Sequence, residues 1–328
     1  MKVTIKDVAK KANVSIATVS YAINGSERIS KKTRDRVLKI ADELNYVANS
    51  NAKLLKQKNT KVIGLFFNSW FGPVYSELVK GVEKVIHRSG YDLVACSMYG
   101  NEHSTAYKYI RDRMVDGAIV LTNSFDDDFL KSVAKDGFPL VVLDREVSAP
   151  NIFNLLIDNF GGAFAATKAL IAADCQEIYY FSGPEDSYDN RKRLEGYIAA
   201  LGYYNIEFNS DCLIQSDFTE KTAHQQMKAL LKEGKQPKAI FAANDEMAIG
   251  ILRAAQEAGI SVPEQLKIVG FDDIQMAELM IPALTTVSHQ KEDMGELAAS
   301  TLIRALQGDK EIEEVKILPT KLVTRHTL

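Results

Sequence analysis

From residue 61 onward the sequence alternates short apolar runs with amphipathic segments, and this alternation constrains the fold more than any other feature. The apolar runs predict strands at residues 62–67, 91–97, 117–122, 140–144, 178–182, 239–243 and 267–271. Amphipathic helices are predicted between them, among them 74–88, 163–173, 191–201 and 246–258. Repeated strand–helix units predict parallel sheets with helices on both faces. The length of this region predicts two similar subdomains, with a seam near residues 158–162.

The charge is divided unevenly along the chain. Residues 1–60 hold 13 Lys and Arg against 5 Asp and Glu, whereas the other 268 residues hold 27 against 38. A basic head on an acidic body indicates that the head contacts a polyanion and the body does not. A merely solvated basic tail would lack apolar periodicity, and this head has it.

The head follows the pattern of three short helices. Thr4 opens the first helix, and Asn13 tolerates the left-handed conformation that a tight reversal needs. Ser15 caps a second helix that runs to about Asn24, and Ser30 caps a third. Two short helices joined by a tight turn and covered by a third predict a helix-turn-helix module, which together with the charge indicates DNA binding.

The residues of the head and the body resemble those of the LacI/GalR family of transcriptional regulators. In the head the resemblance rests on TIKDVAKKANVSIATVSYAING and ISKKTRDRVLKIADELNYVANSNAKLL. In the body it rests on VIGLFFNSWFGPVYSELVKGVE, VVLDRE, AIFAANDEMAIGILRAAQEAGISVPEQLKIVGFDD and IPALTTVSHQKEDMG. The resemblance therefore covers nearly the whole chain.

This resemblance implies an α/β protein with an all-α helix-turn-helix head and two doubly wound parallel-sheet subdomains of the periplasmic sugar-binding-protein type. It implies a DNA-binding domain over residues 1–48, a hinge helix and linker over 49–60, and an effector-binding and dimerisation domain over 61–328. The two subdomains are expected at roughly 61–158 plus 290–318, and at 159–289 plus 319–328.

The resemblance also implies which head residues meet DNA, with the second helix in the major groove. Base edges are expected to face Ser15, Ile16, Ala17 and Tyr21, and other DNA contacts, largely to phosphates, are expected at Thr4, Thr18, Ser20 and Asn24. Many relatives carry Arg where this chain has Tyr21, so the operator should differ; packing on the helix surface is the alternative role for Tyr21. A hinge helix with Asn49, Ala52 and a wedging Leu55 is expected in the minor groove, with a plain linker as its alternative.

Effector contacts in the body are implied in the same way. Arg193 is expected to grip ligand hydroxyls, Asn244 and Asp272 to hydrogen-bond the ligand, and Phe218 to lie against an apolar sugar face. The further contacts expected are Asn68, Trp70, Tyr75 and His289, the last at a position where relatives often have Gln. A surface arginine and a helix cap are the alternative roles of Arg193 and Asp272. Asp144, Arg145 and Asp158 are read as structural or as part of the cleft rim.

Enzyme motifs are absent from the sequence. None of the 19 glycines has another two residues away, and no GxxxxGK, GxSxG or HExxH occurs. The 5 histidines and 3 cysteines lie too far apart for a metal site or a disulfide framework. We therefore expect no catalytic residue, metal or cofactor. With no apolar run of roughly 18 residues and no signal-peptide pattern, we expect a cytoplasmic protein without a membrane segment.

These patterns together predict a sequence-specific DNA-binding transcriptional regulator, a repressor of sugar-utilisation genes controlled allosterically by a small sugar or sugar phosphate. The expected partners are palindromic operator DNA and a second copy of the chain. A dimer is expected and not a tetramer, because the sequence shows no heptad repeat of the kind that assembles tetramers in some relatives. A regulator that depends on a purine-type co-repressor, and a soluble sugar-binding protein without a regulatory role, are the alternatives.

Overall fold

The computed structural model describes residues 3–46, 59–68, 72–98, 104–143 and 145–328. The chain forms two compact units, Met1–Thr60 and Lys61–Leu328. The predictions for Asn49, Ala52, Leu55, Trp70 and Asp144 lie outside the described residues.

The first unit contains three helices, α1 (Ile5–Ala12), α2 (Ile16–Ile23) and α3 (Lys31–Glu43). Their inward faces form a small core of Val8, Ala9, Ala12, Val19, Ala22, Val37 and Ala41. Asn13 ends α1 in the left-handed conformation with φ 52°, so the chain reverses before α2 as the sequence predicts. The hydroxyls of Ser15 and Ser30 accept backbone N–H bonds at the starts of α2 and α3. The predicted helix-turn-helix module is confirmed.

The strands of the second unit include all seven that the sequence predicts. They are β1 (Val62–Phe67), β2 (Asp92–Ser97), β3 (Gly117–Leu121), β4 (Leu140–Val142), β5 (Ile152–Ile157), β6 (Tyr179–Ser182), β7 (Leu213–Gln215), β8 (Ala239–Ala242), β9 (Lys267–Asp272), β10 (Thr285–Ser288), β11 (Val315–Leu318) and β12 (Lys321–Val323).

These strands form two sheets, in the orders β11-β5-β4-β3-β1-β2 and β12-β10-β9-β8-β6-β7. All pairings in the first sheet are parallel, and in the second sheet β12 pairs antiparallel with β10. In both sheets the chain winds outward in two directions from a central strand. The predicted fold class, a helical head followed in the sequence by two doubly wound parallel-sheet subdomains, is confirmed.

Helices cover both sheets. They are α4 (Pro73–Arg88), α5 (Thr105–Arg111), α6 (Asp127–Lys135), α7 (Asn159–Ala172), α8 (Tyr188–Tyr203), α9 (Glu220–Lys232), α10 (Asp245–Glu257), α11 (Gln275–Leu279) and α12 (Lys291–Leu306). In the first subdomain α4 and α12 share a core with one face of the sheet, and α5 and α6 with the other. None of the helices that the structure describes is long and apolar enough to cross a membrane.

The chain passes between the subdomains in three places within the described ranges. It leaves the first sheet after β5 to enter α7, returns between β10 and α12, and leaves again between β11 and β12. The helix α12 therefore belongs to the first subdomain although it follows strands of the second. Its contact with α4 is close: a Cβ at Gly81 would lie 2.0 Å from the carbonyl oxygen of Glu292, and a Cβ at Gly295 would lie 2.1 Å from that of Leu78.

Candidate functional site

A cavity of about 340 Å³ lies between the two subdomains, at the carboxyl ends of their parallel strands. Residues of the first subdomain, among them Tyr75, Leu78 and Leu143, form one wall. The opposite wall carries most of the polar groups, namely Asp189, Arg193, Asp217, Thr219, Asn244, Glu246 and Asp272, together with Phe218. His289, at the crossing between β10 and α12, completes the lining. The structure thus brings together six of the predicted contacts.

Arg193 organises the polar wall. Its side chain projects from α8 and is 4% exposed, so the alternative role of a surface arginine is wrong. Nε donates to Asn159 Oδ1 (2.7 Å), Nη1 to the Ala243 carbonyl oxygen (2.5 Å) and Nη2 to Asp272 Oδ1 (3.1 Å). The guanidinium carbon also lies 3.8 Å from the centroid of the Phe271 ring. A guanidinium has five N–H donors, so two remain for a ligand.

Asp272 ends β9 with an unusual backbone conformation. Its φ is 106° and that of Asp273 is 51°, so two consecutive non-glycine residues adopt positive φ. Such strain persists only where surrounding contacts over-determine it, and it is common at binding sites. Burial alone would raise the pKa of Asp272, but the charge of Arg193, then His289 and Lys291, outweighs burial and lowers the pKa. The carboxylate therefore stays ionised as an acceptor.

His289 offers a polar atom without a partner. Its Nε2 lies 3.7 Å from Asp272 Oδ1, and the ring is 7% exposed. Its Nδ1 is buried and has no hydrogen-bond partner within the described part of the chain. A buried polar atom of this kind is costly unless something satisfies it. The His289 ring itself is part of the cavity lining.

Asp189 is a lining residue that the sequence reading did not select. Its Oδ1 accepts a hydrogen bond from Asn159 Nδ2 (2.7 Å), and Asn159 in turn accepts one from Arg193. Burial raises the pKa of Asp189, Arg193 opposes this effect, and Asp272 adds to it. Asp189 lies four residues before Arg193 on α8, so both side chains share one face of that helix. This spacing is the signal that could have identified it.

Asn244 and Phe218 are linked. Asn244 Oδ1 accepts the Met247 N–H (3.0 Å) and so caps α10, while its Nδ2 donates to the Phe218 carbonyl oxygen (3.0 Å). Phe218 has a positive φ of 67°. The amide therefore holds the loop that presents the aromatic ring to the cavity, and one N–H of Nδ2 is left for a ligand.

Two residues of the predicted opposite wall, Tyr75 and Asn68, are among those that the structure describes. Tyr75 lines the cavity and stacks on Phe67, with ring centroids 5.8 Å apart. Asn68 is not among the lining residues, and its Oδ1 accepts the hydroxyl hydrogen of Thr122.

The two rim residues have local roles. Arg145 binds the carboxylate of Asp127 (3.0 Å) and the carbonyl oxygens of Thr122 (2.7 Å) and Phe125 (2.5 Å). Asp158 Oδ1 accepts the Gly161 N–H (2.8 Å) and caps α7. Both residues stabilise the loops around the cavity without lining it.

The second helix of the head presents a polar, exposed face. Ser15, Ile16 and Ala17 are exposed at its start, with Ile16 46% exposed although apolar. The hydroxyls of Ser15 and Thr18 lie 2.8 Å apart, and Asn24 Nδ2 donates to the Ser20 carbonyl oxygen (2.9 Å).

Tyr21 and Thr4 are the two other predicted DNA contacts in the described part of the head. Tyr21 is half-buried, and its hydroxyl accepts a hydrogen bond from Arg28 (3.4 Å). Thr4 is exposed at the start of α1, where its backbone N–H donates to Asp7 Oδ2 (2.9 Å). An exposed apolar side chain among short hydroxyl and amide groups suits base-edge and phosphate contact.

Asp245 lies behind the polar wall and is fully buried. Its Oδ1 accepts the Thr286 hydroxyl (2.6 Å) and its Oδ2 the Ile274 N–H (2.9 Å), which fixes the backbone after Asp272. Burial, with Asp272 adding to it, raises the pKa of Asp245 well above its ordinary value of 3.8. The folded state therefore binds a proton more tightly than the unfolded state.

We expect Asp245→Asn to remove a pH-dependent loss of stability. Because the folded-state pKa is raised, the native free energy of unfolding should fall as pH rises from the unfolded pKa to the folded pKa, by up to about 1.4 kcal/mol per pH unit. The wild type should therefore approach the variant in acid and become less stable than it as pH rises. Urea denaturation over a pH series measures this, with Asp128→Asn, an exposed carboxylate in the other subdomain, as control. Parallel pH profiles for the wild type and Asp245→Asn would contradict the expectation.

Comparison with known proteins places both units in one family. Residues 4–49 match the bacterial regulatory proteins of the lacI family, and residues 167–328 match the periplasmic binding protein-like domain. The HTH-type transcriptional repressor PurR of Proteus mirabilis (strain HI4320) is 33% identical over 331 residues, covering 99% of this chain and 96% of that protein.

Two solved structures are similar along the whole chain. The transcriptional regulator CelR in complex with cellobiose has a TM-score of 0.76 at 30% identity, covering 100% of both chains. The lac repressor dimer bound to operator and the anti-inducer ONPF has a TM-score of 0.74 at 28% identity, covering 100% of this chain and 99% of that one. The chain belongs to the LacI family of bacterial regulatory proteins.

Proposed function

We propose that this regulator is a repressor that binds a palindromic operator as a homodimer and that a neutral polyhydroxy ligand, a sugar, in the cavity between its subdomains controls that binding. The observation that carries the proposal is the buried Arg193–Asp272 pair. It faces a cavity that both subdomains line, and the His289 ring lies beside Asp272 in that lining. A ligand there contacts both subdomains, so it can favour one relative orientation over another.

The DNA-binding half of the proposal rests on the head. We assign it residues 1–48, with a hinge over 49–60 and the effector domain over 61–328. The operator contacts we propose are Thr4, Ser15, Ile16, Ala17, Thr18, Ser20, Tyr21 and Asn24, with Asn49, Ala52 and Leu55 in the hinge. Two-fold pairing doubles the number of bases read, and the similar lac repressor binds operator as a dimer. A protein with this role acts in the cytoplasm, and we propose no catalytic activity for it.

A sugar suits the chemistry of the cavity. Arg193, Asn244, Asp272 and His289 supply donors and acceptors for hydroxyl groups, and Phe218 supplies an aromatic face for apolar C–H groups. The similar regulator CelR is in complex with cellobiose. We therefore propose Tyr75, Asp189, Arg193, Phe218, Asn244, Asp272 and His289 as ligand contacts, and we keep Asn68 and Trp70, which follow β1 in the sequence, as further proposed contacts.

The carboxylates make a sugar phosphate a poor fit. Four of them line the cavity, Asp189, Asp217, Glu246 and Asp272, against one arginine whose charge is already paired with Asp272. A phosphate dianion would meet uncompensated negative charge in a partly desolvated space. Of the two sugar classes that the sequence allowed, the neutral one is favoured.

A purine-type co-repressor is the second candidate. Tyr75 lines the first wall and Phe218 the second, and aromatic rings of this kind can stack on a planar base. Asn244 and Asp272 would then pair with the ring edges. This candidate reverses the sign of control, since ligand would tighten operator binding.

Calorimetric titration of the full-length protein with a panel of sugars, their phosphates and purines tests the proposal. We expect a neutral mono- or disaccharide to bind, and its phosphate ester to bind at least about tenfold more weakly. Tighter binding of the phosphate would contradict the charge argument while leaving a sugar site in place. Binding of purines alone would replace the sugar by the second candidate, and no binding across the panel would remove both.

A further inference from the structure

Lys291 is a buried lysine that joins the two subdomains. It is the first residue of α12, which packs in the first subdomain, and it is 3% exposed. Its Nζ donates to the carbonyl oxygen of Asp272 (2.6 Å) and to that of Asp273 (3.1 Å), at the end of β9 in the second subdomain. The same Nζ lies 3.8 Å from Glu77 Oε1 on α4.

The desolvation of the buried Lys291 ammonium is unfavourable, and its contacts must offset that cost. Removing a lysine charge from water is unfavourable unless hydrogen bonds and an opposite charge replace the solvent. Here the carbonyl oxygens of Asp272 and Asp273, from the second subdomain, and the carboxylate of Glu77, from the first, replace the solvent. A shorter or uncharged side chain at position 291 would leave both carbonyl oxygens without this donor.

The turn that Lys291 binds is the strained one next to the cavity. Asp272 and Asp273 both have positive φ. Within the second subdomain the turn is held by Arg193 on the Asp272 carboxylate (3.1 Å), by Arg325 on the Asp273 carboxylate (2.7 Å), and by Asp245 on the Ile274 N–H (2.9 Å). Lys291 is the residue of the first subdomain that hydrogen-bonds the same turn.

We infer that Lys291 is a positioning residue that ties α12 to the Asp272–Asp273 turn and holds the Asp272 carboxylate in place for the ligand. If the subdomains rotate against each other, these two hydrogen bonds must lengthen or break, and the strained turn loses one of its supports. Subdomain orientation and the position of a ligand-binding carboxylate are thereby coupled. The role in ligand response rests on the proposed function, whereas the tie itself does not.

Hydrogen exchange of the full-length protein without ligand tests the tie. The reporters are the amides of Asp273 and Ile274, which donate to Thr286 Oγ1 (3.3 Å) and Asp245 Oδ2 (2.9 Å). In Lys291→Met we expect these amides to exchange at least about tenfold faster, while the amides of β3 and β8 keep wild-type protection. In Lys291→Arg, which keeps a charged donor, protection of the turn should be largely retained.

Lys84→Met is the matched control. Lys84 is 40% exposed and binds Glu292 and Glu296, so its replacement removes a lysine from the same helix pair without touching β9. Wild-type exchange at Asp273 and Ile274 in Lys291→Met, or an equal increase in Lys84→Met, would overturn the inference. If Lys291→Met loses protection throughout, Lys291→Arg decides: slow exchange at the turn supports the tie, and fast exchange in a folded protein refutes it. No ligand is used, so a failed sugar titration leaves this result intact.

Discussion

Operator binding by the full-length protein should weaken roughly 10³- to 10⁵-fold as salt rises from about 50 to about 200 mM. The reason is the concentration of positive charge in residues 1–60, which carry 13 Lys and Arg against 5 Asp and Glu. Each phosphate that these side chains neutralise releases counterions, and added salt opposes that release. Fluorescence anisotropy with an operator selected from a random pool, titrated at several salt concentrations, gives the slope.

Deletion of residues 1–60 is the companion experiment. Lys61–Leu328 forms its own compact unit, so the truncated protein should fold and retain the cavity while losing operator binding altogether. The truncated protein also serves as the control for non-specific association, because its charge is 27 Lys and Arg against 38 Asp and Glu. Retention of sequence-specific binding by this fragment would show that the head is not the DNA-contacting part.

Arg193→Ala should destabilise the body by about 3–5 kcal/mol and abolish ligand binding. The substitution removes the three hydrogen bonds that join Asn159, Ala243 and Asp272, and it leaves a buried carboxylate without its main compensating charge. Urea denaturation measures the loss of stability, and calorimetric titration with the sugar that binds the wild type measures the loss of the site.

The pH dependence of stability gives a second test of Arg193→Ala. Since the folded-state pKa of Asp272 is lowered, this carboxylate contributes stability above its unfolded pKa, and that contribution is lost as pH falls through the folded pKa. Without Arg193 the effect of burial dominates, so the acid-range loss at this site should disappear. Arg191→Ala, an exposed arginine on the same helix that binds backbone carbonyls, is the control. Equal stability losses in the two variants would show that the buried pair has no special role.

The alternation of strands and helices was readable because fully buried parallel strands appear as apolar runs. The strands that were missed depart from that pattern. β5 contains Asn154, whose buried amide bonds the backbone of Val147 and Glu314 rather than solvent. β10 begins with Thr285 and Thr286, both fully buried; the hydroxyl of Thr286 is satisfied by Asp245. Polar residues with distant partners look like loops in a sequence.

Part of the candidate site could likewise be predicted from the sequence. Arg193, Asn244 and Asp272 come together because each follows or faces the carboxyl end of a parallel strand, and the topology gathers those ends. Asp245 and Lys291 were not identified because charged residues in the first turn of a helix usually face solvent. Their burial depends on partners at Thr286, Ile274 and the carbonyl oxygens after β9, which no local pattern reveals. Asn68 was placed at the ligand by the family resemblance; its Oδ1 accepts the Thr122 hydroxyl hydrogen, and its contact with a ligand stays a prediction.

The glycine contact between α4 and α12 has a mechanical consequence. Where Gly81 meets the Glu292 carbonyl and Gly295 meets the Leu78 carbonyl, the two backbones touch directly, without the side-chain layer that usually separates helices. Such a layer can yield by changing rotamers, whereas backbone against backbone cannot. A displacement of the first turn of α12, where Lys291 lies, should therefore displace α4 by nearly the same amount. We therefore expect α4 and α12 to move as one rigid body. A larger residue at either glycine should force the two helices apart.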